Sequence, residues 1–443
     1  MELKKEISLW GGVSILAGIM IGSGIFFLGG QILSRIGNSL PLSLAAWLVG
    51  GLITLFSGLT YAELGTLFPE NGGYYVYLKK AYGKNVAFLA GLMNLVLSSS
   101  GSIALLAILF GQVLSNIFPS LTNVIWLVAI GAIVILTVVN YLGVKVGTIT
   151  QMIFMVAKLI PIVAIIIMGL FLGSQTLDLT SNTLADRSFF DIVIAFSFAV
   201  VGTLWAYEGW TNLNSVAGEM KNPKKDLPKS LIFAILGVAL IYVLFIFSLY
   251  RLVAYGDLIT AYNGWFIFNA AGVLFGASGQ LVVMVSVAVS IFGALNGTVL
   301  VFPRVYQKMA ADGMFFQPFA KSHPTYKTPG LALIISGAMA ILLIVLQFDV
   351  EALLTFIVFA GLIFNTLIFI SVFLFRKRMP IEHYPRAYKV WGYPVVPIVA
   401  ILGMVMLLVA TLIESLVPSL IGVGVLVIGY FVYPFVFKKE ESK

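Results

Sequence analysis

The sequence predicts an all-α membrane protein of twelve transmembrane helices, the first ten forming two inverted halves of five and the last two appended. Three observations carry this expectation. Sixty percent of the 443 residues are hydrophobic, only 10% are charged, and the mean hydropathy is +1.06. Soluble globular proteins carry about 25% charged residues, so a water-soluble enzyme with one or two cores is excluded. Apolar runs of the length that crosses a bilayer recur twelve times. Two of those runs are interrupted mid-way by glycine, and they hold matching places in the two halves.

The runs cover residues 10–36, 40–67, 86–114, 124–143, 147–173, 189–218, 229–255, 266–300, 331–348, 351–375, 392–414 and 418–437. The first is too long for a secretory signal, and no small-residue cleavage site precedes a polar mature domain. Direction follows from Lys and Arg in the short loops. With the N-terminus inside, the outer loops hold only Arg35, Arg187 and Arg251, and Lys158 lies within a span; all other basic residues of the 26 fall in inner segments, from Lys4 and Lys5 to Lys438, Lys439 and Lys443. Both termini are expected in the cytoplasm of a multi-pass plasma-membrane protein. The net charge of +8 then reflects orientation and contact with anionic membrane lipid, and calls for no nucleic-acid partner.

Two inner loops read as ordered surface elements. Residues 70–84 place four tyrosines beside basic residues, as an interfacial helix does. Residues 304–313 read as a short amphipathic helix ending at Gly313. Glu63 near the inner end of span two, and Glu219 beside Lys221, read as ordinary interface residues. The absence of cysteine excludes disulfides, thiolate metal sites and thiol catalysis. Two histidines, His323 and His383, argue against a histidine metal site, and no metal or cofactor is expected.

Backbone breaks inside a bilayer are tolerated only where protein or a water-filled cavity lines them. Span one carries Gly18-Ile19-Met20-Ile21-Gly22-Ser23-Gly24-Ile25-Phe26; such glycines weaken a helix or provide a close-packing face. Span six carries Gly202, Glu208 and Gly209 among Trp205, Tyr207 and Trp210. The expected interruptions are near 20–24 and near 201–209. Five spans per half is odd, so the halves are inverted: 1–188 and 189–380, with 381–443 as the appended pair and tail. A matched pair of broken helices in inverted halves points to a transporter site at the bilayer midplane.

An unwound helix offers free N–H groups with positive dipole character on one side and free carbonyls on the other. A zwitterionic α-amino acid matches both. The backbone of Gly22, Ser23 and Gly24 is expected to hold the carboxylate, and carbonyls around Ile19, Met20, Ile21, Val200 and Val201 the ammonium. The substrate side chain would face Trp205 and Ala206. Lys158 lies about eleven residues from either end of span five, roughly 16 Å from each interface, too deep to snorkel out. An ionisable group at that depth is costly and usually functional. It reads either as a permanent brace against carbonyls or as an ammonium standing where a sodium ion would bridge helices, with titration during the cycle a further option. Glu208 has three readings: facing an aqueous vestibule, hydrogen-bonding the broken sixth span, or attracting a cationic substrate side chain.

The motif Gly22-Ser23-Gly24-Ile25-Phe26 resembles the first-helix signature of the L-type amino acid transporters, in the amino acid–polyamine–organocation superfamily. Trp205 to Trp210, with Gly218-Glu219-Met220-Lys221-Asn222-Pro223, is similar to that family's sixth helix and following loop. Phe292-Gly293, Asn296-Gly297 and Phe364-Asn365 fit as well, so the resemblance covers nearly the whole chain. It implies a leucine-transporter-type inverted-repeat fold and sodium-independent amino acid exchange by alternating access. It places Gly22, Ser23 and Gly24 on the carboxylate and Trp205 at an aromatic gate. It matches Lys158 to a fifth-helix lysine that replaces sodium, with Ser290 and Asn365 as polar partners bridging helices. The animal members join a glycoprotein through a cysteine that is absent here, so no disulfide-linked heavy chain is expected and a bacterial stand-alone carrier is. Glu208 occupies a position that varies in the family between glycine and acid. Small or medium neutral amino acids are the first expectation, with cationic ones open. The alternative is a proton-coupled symporter with Lys158 as proton carrier. A channel or an intramembrane enzyme is disfavoured: no histidine and no aspartate pair lies mid-span, and no ring of charge or repeated filter loop is present.

Overall fold

The computed structural model describes residues 5, 7–175, 188–253 and 265–437. Lys4, Arg187, Lys438, Lys439 and Lys443, which entered the orientation reading, lie outside the described residues. Among the described residues, ten helices are long and apolar enough to cross a membrane, or eleven when the bent pair Leu9–Met20 and Gly24–Arg35 is one span. Gly330–Val345 is a further apolar helix of 16 residues. At 1.5 Å per residue it falls short of a hydrocarbon core of about 30 Å, so the expected count of twelve depends on a helix that does not meet the length requirement unaided. Among the described residues the architecture is all-helical, with one isolated bridge between Ile7 and Met220.

Span two, Leu40–Leu67, is the spine against which spans six and seven pack. Its glycines face their neighbours: a Cβ on Gly51 would stand 2.9 Å from the Ala239 Cβ and 3.1 Å from the Tyr207 hydroxyl. In lipid the helices gain nothing from leaving water, so small residues that let backbones approach are what hold the bundle tight.

The interfacial elements form as expected, at Tyr74–Tyr82 and Pro303–Ala311. Gly83 (φ 90°) and Gly313 (φ 72°) turn the chain out of each helix, a conformation that costs glycine little. The two helices are tied by charge: Lys79 donates to Asp312 (2.7 Å), and Lys308 reaches Glu70 (2.9 Å) and Asp312 (3.1 Å). Partial burial would raise the Asp312 and Glu70 carboxyls, but the neighbouring lysines outweigh it and hold both below their ordinary values. Burial would lower Lys308, and the same carboxylates outweigh that and raise it. The carboxylates therefore contribute stability above their ordinary range near pH 4 and lose it in acid. Lys308 contributes below its ordinary value near 10.4 and loses it in alkali.

Glu63 is not the interface residue its sequence position suggested. Its buried carboxylate accepts from Arg376 (3.0 and 2.6 Å), Arg386 (2.8 Å) and the Val390 amide (2.8 Å). The partners come from the end of span ten and the loop beyond it, more than 300 residues away, so nothing local announces them. Glu219 is likewise buried, accepting from Arg304 (2.7 Å) and Asn71 (3.1 Å). The segment after span six is pinned further where Ile7 donates to the Glu219 carbonyl and Lys221 to the Ile7 carbonyl.

Candidate functional site

The helix Leu9–Met20 stops, Ile21, Gly22 and Ser23 run without helical form, and Gly24–Arg35 continues at 46° to the first segment. The break is specified by two close approaches. A Cβ on Gly24 would stand 2.6 Å from the Ala206 Cα, and one on Gly22 would stand 3.3 Å from the Ala294 Cβ. The new helix begins with amides that have nothing upstream to bond, as every helix does. Those of Ser23, Gly24 and Ile25 meet no carbonyl among the described residues. The Ser23 hydroxyl is buried and has no protein partner either. Four donors thus converge where an anion gains from the helix dipole.

The carbonyls of the break divide between two directions. Lys158, fully buried, donates to Gly18 (2.7 Å), Ile21 (2.5 Å) and Ser290 (3.2 Å) carbonyls. The Ser290 hydroxyl adds bonds to the Ile21 and Gly22 carbonyls, at 3.1 and 3.3 Å. On another side the Tyr242 hydroxyl lies 2.6 Å from the Met20 carbonyl and 3.0 Å from that of Ala206, where one proton is shared between the ends of both broken spans. The Ile19 carbonyl is left without a donor among the described residues. Tyr242 was missed by the sequence reading; a lone tyrosine in an apolar run looks like packing, and only its depth in span seven hinted at a polar duty.

Span six runs unbroken from Phe189 to Ala206, leaves helical form at Tyr207, and re-forms as a tight helix at Asn212–Glu219. The interruption therefore falls later than the expected 201–209. Gly202 stays helical, which costs only about 1 kcal/mol. Gly209 carries the turn instead, with φ 112°, and a Cβ there would stand 2.6 Å from the Ile19 side chain. Val200 and Val201 consequently lie in continuous helix, the Val200 carbonyl already accepting from Thr203 (2.7 Å), and neither reaches the main cavity.

That cavity encloses about 1020 Å³ including its open part. Its walls bring together Ile19, Met20, Gly22, Ser23, Gly24, Trp205, Ala206, Glu208 and Asn365 of the expected site residues. Ile21, Lys158 and Ser290 stand behind the wall, and Asn365 faces the cavity with no hydrogen bond to Lys158 among the described residues. Glu208 has no basic partner within ion-pair distance among the described residues, and its amide donates to the Trp205 carbonyl (3.0 Å). The cavity extends from the breaks toward the face of the Tyr74–Tyr82 helix, where Tyr61, Tyr74, Asn94, Asn212 and Ser215 line it; none of these was singled out from sequence. Past the breaks in the other direction, Gly24 lies against Ala206 and the Phe27 and Trp265 rings meet edge to face at 5.3 Å.

A family model described as amino acid permease matches residues 7–437. The chain is 36% identical to the serine/threonine exchanger SteT of Bacillus subtilis (strain 168), across 99% of this chain and 98% of that one. It is 31% identical to the human b(0,+)-type amino acid transporter 1, across 94% of this chain and 84% of the relative. The human cystine/glutamate transporter is 29% identical, across 87% and 76%.

Proposed function

The chain belongs to the amino acid permease family, and from that premise we propose that it is a sodium-independent exchanger of small or medium neutral L-amino acids, working by alternating access. It is a multi-pass membrane protein and a carrier, not an enzyme. The observation that carries the reading is the set of unpaired donors at Ser23, Gly24 and Ile25, facing a cavity also bordered by the end of span six. The donors suit a carboxylate. The free Ile19 carbonyl suits the α-ammonium, and Glu208 a cationic substrate side chain. The Bacillus relative, a serine/threonine exchanger, supports small neutral substrates for this chain.

Sodium independence rests on Lys158. Its ammonium occupies a cage of three carbonyls, a place where a monovalent cation would otherwise join span one to span eight. The inverted-repeat organisation, 1–188 against 189–380 with 381–443 appended, accounts for why spans one and six are the ones interrupted. The protein is proposed to reside in a bacterial plasma membrane with both termini cytoplasmic. The face of the Tyr74–Tyr82 and Pro303–Ala311 helices would be the inner one, so the cavity is open inward. Without cysteine, no disulfide-linked heavy chain is proposed.

Proteoliposomes test this directly. Labelled serine is expected to enter only vesicles preloaded with amino acid, with or without sodium. Uptake into empty vesicles driven by a pH gradient would replace exchange with proton symport. Glu208→Gln is expected to weaken cationic amino acids by about tenfold, the loss of a charge-assisted contact, while neutral substrates change little. An equal loss for both classes would assign Glu208 to the backbone of the break instead.

A further inference from the structure

The cavity carries two polar regions along its length. One is the break at Ser23. The other lies toward the inner face. Gly51 marks the level of the first break: a Cβ there would stand 3.1 Å from the Tyr207 hydroxyl, and the Tyr207 ring packs on Tyr242, whose hydroxyl bonds the Met20 carbonyl. Tyr61 is ten residues further along the same helix, about 15 Å at 1.5 Å per residue. A tyrosine ring spans only part of that distance, so its hydroxyl lies apart from the Ser23 cradle, beside Trp210 at the end of the second break.

Buried polar groups normally find partners, and each exception calls for a reason. Tyrosines packed near the cavity comply. Tyr77 donates to Asn214, Tyr207 to the Trp47 carbonyl, and Tyr306 to the Asn94 side-chain oxygen. Tyr61 and Tyr74 do not: both hydroxyls are buried, both residues line the cavity, and neither hydroxyl has a partner. Tyr61 is fully buried and its ring is fixed edge-on between Tyr77 and Trp210, each at 5.3 Å. The Tyr306 bond turns the Asn94 oxygen away and leaves its amide hydrogens for the cavity. Asn212 completes the group on the tight helix after the break.

We propose that Tyr61, Tyr74, Asn94 and Asn212 form a second, weaker site for the same zwitterionic amino acid, an inner stop between the breaks and the cytoplasmic mouth. It rests on the exchange reading above. The four side chains are donors and acceptors without a formal charge of their own, while Glu208 lines the same cavity, so the group suits a neutral dipolar ligand and binds it loosely. Such a stop would collect internal substrate before it reaches the breaks, and would act on one side of the membrane only.

The test uses the whole chain in proteoliposomes of defined orientation, with L-serine as the probe. Tyr61→Phe and Tyr74→Phe, which keep the rings, are each expected to raise the inner KM about three- to tenfold, the loss of one neutral hydrogen bond. The outer KM and the maximal rate should stay within about twofold. Equilibrium binding to purified protein should give two serines per wild-type chain and one in the double variant. One serine per wild-type chain, unchanged inner KM in both variants, or equal shifts on both sides would overturn the proposal while leaving exchange intact. A wild-type chain that exchanges no amino acid would remove the functional reading itself, and this site with it.

Discussion

Ser23→Trp is expected to abolish amino acid exchange while the protein still inserts and folds. Ser23 begins the second half of span one, and its buried hydroxyl and amide belong to the proposed carboxylate cradle. An indole carries about 150–250 Å² of surface into a position that lines the cavity. The ring is expected to occupy the space the substrate needs. The measurement is exchange of labelled serine in proteoliposomes, beside gel filtration and thermal unfolding of the purified variant. Full activity would place the substrate elsewhere. Loss of activity with loss of the folded peak would indict packing, and Ser23→Ala, which removes only the hydroxyl, would then decide: a KM raised several-fold supports the cradle.

The sequence shows the scaffold far better than it shows the chemistry between scaffold parts. The run of apolar helices, the interfacial helix at Tyr74–Tyr82 and the break at Gly22-Ser23-Gly24 were legible because hydropathy and glycine are local signals. The second break was placed too early because two glycines competed and sequence does not reveal which one adopts a positive φ; Gly209 does, and Gly202 remains helical. Lys158 was legible by its depth alone, although its three carbonyl partners come from spans one and eight. Tyr242 and Glu63 were missed for one reason. Each finds its partners across long sequence distances, at separations of 222 and 313 residues, and no periodicity in a single chain encodes such a meeting. Tyr61 and Tyr74 are harder still, since what distinguishes them is a bond they lack.

Lys158→Ala is expected to cut exchange turnover by a factor of ten or more. The ammonium is the common donor to Gly18 and Ile21 on the broken span and Ser290 on span eight. Removing it leaves buried carbonyls unsatisfied, at about 1–3 kcal/mol for each group that finds no other partner, and opens a void where the side chain ran. The Ser290 hydroxyl still reaches the Ile21 and Gly22 carbonyls, so the two spans are loosened and not separated. The chain should therefore fold with a lower unfolding temperature, while the broken segment loses the fixed geometry that alternating access must reproduce on each cycle. Lys158→Met separates the causes: it restores the volume but not the charge, so a recovery of stability without recovery of turnover identifies the ammonium as the working part. Measuring both variants with and without a pH gradient distinguishes a brace from a proton carrier. A brace leaves wild-type exchange indifferent to the gradient, whereas a carrier makes wild type respond and both variants insensitive. Wild-type turnover in Lys158→Met at every pH would show that span one holds its break without help from span five, and the cage around the ammonium would then be packing.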